Sequence, residues 1–198
     1  MNIISEWDIS VLDWIATHMR CAFLDGFLST ITHLAEAGWF WIVIAVVMLC
    51  FRKTRKYGWY VGIALVIGLL VCNVTLKPLI GRIRPWDYLA NFHPERPELN
   101  LLVEKLHDFS FPSGHTIASF EAATALMFWK KRAGIPALVL AAIIAFSRLY
   151  LYVHYPTDVL MSIVLGIAIA FLARFLVNLA YKKIEAYQSA KKQAGESA

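Results

Sequence analysis

Three short stretches hold the residues of this chain that are hardest to explain by packing. Lys77-Pro-Leu-Ile-Gly-Arg82-Ile-Arg84-Pro85 ends one apolar run, Phe111-Pro112-Ser113-Gly114-His115 opens another, and Ser147-Arg148, followed by His154 and Asp158, lies between the last two. Lys77, Arg84 and Arg148 are cations beside or within apolar runs, where an unpaired charge is costly, and few acids stand near enough in sequence to pair them all. Arg presents a planar fork that matches phosphate oxygens, and Lys a point charge. A Ser-Gly pair opening a helix adds free backbone N–H groups and the positive end of the helix dipole. The three cations with Ser113 and Gly114 therefore read as a phosphate cradle, although any one cation alone would read as a side chain snorkelling to an interface. His154 and Asp158 are four residues apart, so on one helical turn the carboxylate can hold one ring nitrogen and leave the other free to attack phosphorus. Taken alone, that pair would serve equally as a structural hydrogen bond. His115, beside a helix N-terminus, is placed to act as a general acid. A nucleophile, an orienting acid, a second histidine and an anion site make up the set that phosphoryl transfer needs.

The elements that must position these residues are membrane helices. Of the 198 residues, 59% are hydrophobic and 17% charged, and the mean hydropathy is +0.58. A soluble domain runs at roughly 45–50% apolar and 25% charged, so the composition excludes a disordered chain and argues against a soluble globular one. A span needs ~20 mostly apolar residues, and five are read: 27–51, polar in its early part; 57–76; 113–129, interrupted by Glu121; 135–150; and 156–181. Residues 5–19 place Trp7, Val11, Trp14, Ile15 and His18 at helical spacing with Glu6, Asp8 and Asp13 between them, the pattern of a helix lying on the membrane surface. Those acids stand where a cleavable leader would carry basic residues, so none is expected. Cys21, Cys50 and Cys72 are odd in number and lack metal-ligand spacing, which supports neither a disulfide frame nor a zinc site. The connection 77–112 contains Pro85, Pro94, Pro97 and Pro112 and one short helical candidate at 98–107. The polar end of the chain is expected to fray. These bounds give a single membrane domain over 1–187 with an outer loop at 77–112, and a polar cytoplasmic tail over 188–198.

Lys77-x6-Arg84-Pro85, Pro112-Ser113-Gly114-His115 and Ser147-Arg148-x5-His154-x3-Asp158 together resemble the three-part motif of the type-2 phosphatidic acid phosphatase superfamily, which also contains the vanadium-dependent haloperoxidases. Order, internal spacing and placement agree at eleven positions across 77–158, and the helical pattern extends the resemblance over most of the chain. The resemblance implies that His154 attacks phosphorus and forms a phosphohistidine, that Asp158 orients and balances it, and that His115 protonates the leaving oxygen. It implies that Lys77, Arg84, Ser113, Gly114 and Arg148 hold the phosphate oxygens, with no metal and no other cofactor. Arg82 lies outside the motif and receives no catalytic role. Small members acting on polyprenyl diphosphates often carry Asp where this chain has Gly114, a departure that weakens that assignment without removing it.

The expected fold class is an all-α integral membrane helical bundle with about five spans and an N-terminal surface helix. The function implied by the resemblance is a metal-independent lipid phosphatase acting on undecaprenyl diphosphate, phosphatidylglycerol phosphate or phosphatidic acid. Its partners would be the bilayer and the lipid phosphate substrate, with no nucleic acid and no obligate protein partner. Two rivals keep part of the pattern. A haloperoxidase would hold vanadate in the cradle, but those enzymes are usually larger and soluble. A non-catalytic lipid carrier or scramblase would keep the cations without needing His154 near Asp158. Glu121, two turns below His115, either tunes the site or pairs within the bundle, with pairing favoured. His33 and Glu36 lie near the outer interface with the same ambiguity, and His93 and His107 read as solvated loop residues.

Sidedness follows from eleven Lys and Arg residues that fall within 52–56, 130–132 and 182–192. By the positive-inside rule these segments are cytoplasmic, which places the N-terminus and the segments 77–112 and 151–155 outside a multi-pass protein of the cell membrane. The orientation rests on other residues, yet it brings all three polar stretches to one face, so the basic runs serve topology. In a background lacking native cysteines, Asn91→Cys should react with an impermeant thiol reagent on intact cells and Lys131→Cys should not. The reverse pattern would invert the topology.

Overall fold

The computed structural model describes residues 3–97 and 100–196. Nine α-helices follow one another among them: α1 (Ile3–His18), α2 (Ala22–Thr32), α3 (Trp39–Cys50), α4 (Arg55–Leu69), α5 (Lys77–Ile80), α6 (Pro85–Phe92), α7 (Gly114–Trp129), α8 (Lys131–Tyr150) and α9 (Pro156–Glu196); the described residues contain no strand. The all-α expectation holds. The helix at the axis is α7, with 10 of its 16 residues buried. Ala122, Ala123 and Ala125 present only methyl groups, which lets α4, α8 and α9 pack closely around it. Trp41, Tyr60, Val61 and Ile144 fill the same core. Outward, Val139, Val164, Phe171 and Phe175 are exposed, an apolar surface of the kind that faces lipid.

The spans differ from the sequence reading in instructive ways. Three stretches, Arg55–Phe92, Lys131–Tyr150 and Pro156–Gln193, are long and apolar enough to cross a membrane. The first expected span is broken: a 3-10 turn at His33–Gly38 separates α2 from α3, and Gly38 takes a φ of +70°, a conformation open chiefly to glycine. The third is only the 16 residues of α7, short for a span but enclosed by its neighbours. A π-helical segment, Leu70–Leu76, carries α4 on to Lys77. The end of the chain, expected to fray, continues α9 as far as Glu196, because Lys, Glu, Ala and Gln are all good helix formers.

The outer elements also differ. The helical candidate at 98–107 is not found: 98 and 99 lie outside the described residues, and 100–107 are irregular. The helix of this loop is instead α6, with Pro85 at its first position, where the missing N–H costs nothing. The surface helix α1 exists, and a row beside the expected stripe, Ile9 and Leu12, packs on Tyr88, Leu89, Tyr152 and Tyr155, so that face of the helix covers protein. Trp7 and Trp14 stay exposed.

The two ends of the bundle are chemically distinct. Lys56 of α4 lies over the Tyr181 ring of α9, 5.4 Å from its centroid, so the basic ends of these helices meet. The opposite ends gather Lys77, Gly114, Arg148 and His154 around one cavity.

Gly166 fixes how closely α9 approaches the site-bearing helix α7. A Cβ there would lie 2.9 Å from the Ile117 carbonyl oxygen and 3.1 Å from Phe120 Cβ. Backbone atoms cannot swing aside, so Gly166→Ala should force the helices apart at an overpacking cost of about 1–3 kcal/mol. Thermal unfolding in detergent should show a lowered midpoint; an unchanged one would mean that this helix pair has slack.

Candidate active site

The segment between α8 and α9 sets the geometry. Tyr152 takes a positive φ of 63°, and α9 begins only at Pro156. His154 therefore precedes the helix, and the pair expected on one helical turn forms differently. The His154 Nδ1 lies 2.7 Å from the Ser110 carbonyl oxygen and 3.8 Å from Asp158 Oδ2. A carbonyl only accepts, so Nδ1 carries the hydrogen and Nε2 the lone pair. Burial, with the charges of Arg84, Arg148 and Lys77 adding to it, pushes the imidazole well below the ordinary histidine range. Both influences favour the neutral ring.

Asp158 uses its carboxylate elsewhere. It accepts the Ser110 hydroxyl at 2.5 Å and the Tyr155 N–H at 3.3 Å, and it pairs with Arg82. Arg82 also binds Asp8 of α1 at 2.6 Å and stacks on the Tyr155 ring, 3.8 Å from its centroid. The second oxygen of Asp8 takes the Thr157 N–H at 3.0 Å. Arg82, which the motif leaves out, is thus the link between α1, the outer loop and Asp158.

The three cations converge as expected, but an acid the sequence reading missed stands among them. Arg84, 2% exposed, donates through Nη1 to the Val153 carbonyl at 2.7 Å and lies 3.3 Å from His154 Nε2. Its Nε donates to the Asp108 carbonyl at 3.0 Å. Lys77 and Arg84 both pair with the Asp108 carboxylate. Partial burial raises that carboxyl, but the hydrogen bond from Lys77 and the charge of Arg84 outweigh it and hold it down at about 2. Asp108 lies in an irregular stretch, where no periodicity marks it. Arg148 is 4% exposed and donates through Nη1 to Thr32 Oγ1 at 2.6 Å, while its buried Nε has no partner. A desolvated donor without an acceptor is costly, and an anion oxygen would complete it.

The start of α7 supplies more donors. Its first intrahelical bond runs from the Ile117 N–H to the Ser113 carbonyl at 3.0 Å, so the N–H groups of Gly114, His115 and Thr116 have no partner within the helix. The Ser113 N–H, expected to be free, instead donates to Ser162 Oγ at 2.8 Å. The Ser113 hydroxyl accepts from Thr116 at 2.9 Å. Ser113 is fully buried and closes the helix start behind the cavity wall. Lys77, Arg84, Gly114, His115, Arg148 and His154 line a single cavity of about 1010 Å³ that continues downward between α3, α4 and α7. Asp158 stands behind His154, outside that lining.

Residues left open by the sequence also find places. His93, read as solvated, is held by Glu6 of α1 at 3.1 Å, while His107 lines the cavity rim. His33 pairs with Glu36 on the exposed 3-10 turn at 3.0 Å. Glu121 has no ion pair among the described residues, and its buried Oε2 has no hydrogen-bond partner; the favoured expectation of pairing within the bundle is not met, because the facing position on α4 is Gly68.

The chain is similar to known proteins. A family model described as the PAP2 superfamily matches residues 57–182. An undecaprenyl-diphosphatase of Sulfolobus acidocaldarius is 34% identical over 134 residues, which cover 67% of this chain and 61% of that protein. The undecaprenyl-diphosphatase BcrC of Bacillus subtilis is 30% identical over 149 residues, covering 75% of this chain and 72% of that one. Among solved structures, a PAP2 type phosphatidylglycerolphosphate phosphatase from Bacillus subtilis superposes with a TM-score of 0.70 at 28% identity, over 93% of this chain and 89% of the other. The chain belongs to the PAP2 superfamily.

The Asp108 carboxylate binds Lys77 and Arg84 where an anionic ligand would bind them. Asp108→Asn keeps the size and removes the charge. Orthovanadate should then bind about tenfold tighter, since charge-assisted hydrogen bonds no longer have to be exchanged. Titration of both proteins with orthovanadate checks this; equal or weaker binding would show that the carboxylate does not compete for the cations.

Proposed function

We propose that this member of the PAP2 superfamily is a metal-independent lipid phosphatase that cleaves a lipid phosphate or diphosphate through a phosphohistidine on His154. The observation that carries this reading is the His154 ring. Its Nδ1–H is given to the Ser110 carbonyl, which leaves the Nε2 lone pair beside Arg84 at the mouth of an apolar cavity. Phosphate oxygens would take the donors of Lys77, Arg84 and Arg148 and the N–H groups at the start of α7. Nε2 then forms a bond to phosphorus as the bond from phosphorus to the leaving oxygen breaks. His115 gives that oxygen a proton, and it later removes one from the water that hydrolyses the phosphohistidine. Three cations neutralise the transition-state charge that a magnesium ion would otherwise offset. Asp158, 3.8 Å from Nδ1, balances the charge that develops on the ring.

Two further observations support this reading. The cavity below the cations is lined by side chains such as Ile42, Val46, Leu65 and Leu69, which suit a hydrocarbon chain and not a soluble phosphate ester. The relatives named above as undecaprenyl-diphosphatase and phosphatidylglycerolphosphate phosphatase act on lipid phosphates by name. The basic segments at the opposite end favour an extracytoplasmic site.

Purified protein in detergent, with excess EDTA, should release phosphate from at least one member of a panel of lipid phosphates and diphosphates. His154→Ala should lower that rate by several orders of magnitude while keeping the thermal midpoint. Loss of activity on chelation, restored by a divalent metal, would overturn the metal-independent reading. Near-native turnover by the variant would overturn the nucleophile.

A further inference from the structure

The cavity that opens at the cations has a second polar feature deeper in its wall. Glu121 of α7 lines it, is 1% exposed, and is flanked by Ile117 and Ala118 on its own helix. Its Oε2 is buried without a hydrogen-bond partner, and the phosphoryl-transfer steps above give it no task. Across from it, a Cβ on Gly68 of α4 would overlap the carboxyl group, so the absence of a side chain at 68 is what makes room for it. A polar group left unsatisfied among apolar side chains costs stability, and a hydrocarbon chain laid against it would leave that cost in place.

Depth narrows what could complete it. Glu121 lies six residues below His115, about 9 Å along the helix at 1.5 Å per residue. Side chains on a helix lean toward its N-terminus, which here is the end that carries the cations, so the carboxyl sits somewhat less than 9 Å below the anion site. In a diacylglycerol phosphate, six and seven bonds of about 1.5 Å separate phosphorus from the two ester carbonyl oxygens, a projection of roughly 6–9 Å along a bent chain. In a polyprenyl phosphate the same depth holds only hydrocarbon.

We propose that Glu121 is a lipid-contacting specificity residue, whose carboxyl group hydrogen-bonds an ester carbonyl of a glycerophospholipid seated with its phosphate among Lys77, Arg84 and Arg148. This rests on the phosphatase reading above and adds the substrate class. A carboxylic acid supplies the O–H donor that a carbonyl needs. Asn73, which lines the cavity nearer its mouth, has its Oδ1 3.9 Å from where a Cβ on Gly114 would stand and brings an amide to the level of the second ester.

The test compares three substrates at equal chain packing in detergent with EDTA: a diacyl phosphatidic acid, its dialkyl ether analogue, which lacks only the two carbonyls, and a polyprenyl diphosphate. The wild-type protein should favour the ester over the ether by about tenfold or more in kcat/KM, the size expected for a lost hydrogen bond to a buried group. Glu121→Gln, whose amide can still donate, should keep that ratio, and Glu121→Leu should bring it close to one. An ester-to-ether ratio near one in the wild type, a preference that survives Glu121→Leu, or cleavage of polyprenyl diphosphate alone would each overturn the proposal while leaving the phosphatase reading intact. No phosphate release from any of the three would overturn both. If Glu121→Leu does not fold, the wild-type ratio decides.

Discussion

A single guanidinium ties the site together. Arg82 lies between Asp8 and Asp158, both fully buried, and the backbone carbonyl of the same residue accepts the Ser110 N–H at 2.7 Å. Buried charges of this kind are tolerated because each is answered; removing one partner would leave the others desolvated and unpaired. Ser110 then acts in two directions, with its hydroxyl on Asp158 and its carbonyl on His154 Nδ1. The tautomer of the proposed nucleophile is thus set by a backbone atom whose position depends on Arg82, and through it on Asp8, 146 residues before His154 in sequence. Ile9 and Leu12 of α1 pack on Tyr88, Leu89, Tyr152 and Tyr155, on the same helix that brings Asp8 to Arg82 and Thr157.

The cations tell a complementary story. Lys77, Arg84 and Arg148 repel one another, and together they disfavour a protonated His154. Asp108 answers two of them, and Arg148 keeps an unpartnered Nε. The free protein therefore holds a carboxylate in partial substitution for a ligand and one donor with nothing to bind. Such departures from full polar satisfaction fit the dianion site of the proposed function, since an anion would answer the donors that the free protein leaves open.

Much of this was legible in the sequence, and the boundary is physical. Lys77, Arg84, Gly114, His115, Arg148 and His154 were readable because their chemistry fixes their type and spacing, and the structure brings all six to one cavity. The all-α class followed from apolar run lengths. Asp108 was not readable, since an acid in an irregular stretch has no periodicity to show which way it faces. Asp8 reads as part of a polar helix face, because sequence cannot tell which face meets protein and which meets solvent. The Ser110 carbonyl left no trace, as backbone acceptors carry no residue type. The displacement of His154 off α9 did have a signal in Pro156, since proline favours the first turn of a helix. The break at Gly38 was marked only by Thr32, His33 and Glu36 inside an otherwise apolar run, a pattern equally consistent with a span entering from water.

The helix α7 carries two requirements that pull against each other. As the axis of the bundle it needs small, apolar residues so that α4, α8 and α9 can close on it, and Ala122, Ala123 and Ala125 meet that need. As a wall of the cavity it carries His115 at the mouth and Glu121 below. Four buried side-chain atoms among the described residues lack a hydrogen-bond partner, and two of them, Glu121 Oε2 of α7 and Arg148 Nε of α8, belong to residues that line the cavity. A protein that merely tolerated buried polar groups would gain stability from an apolar residue at 121 and a larger one at 68, since both changes fill space without burying an unanswered group. The pairing of Glu121 with a glycine opposite does the reverse: it makes room for the carboxyl and leaves it open to the cavity. The unmet polar groups thus lie at two depths along one channel, as they would if a single amphiphile, charged at its head and polar again just below, were to answer both.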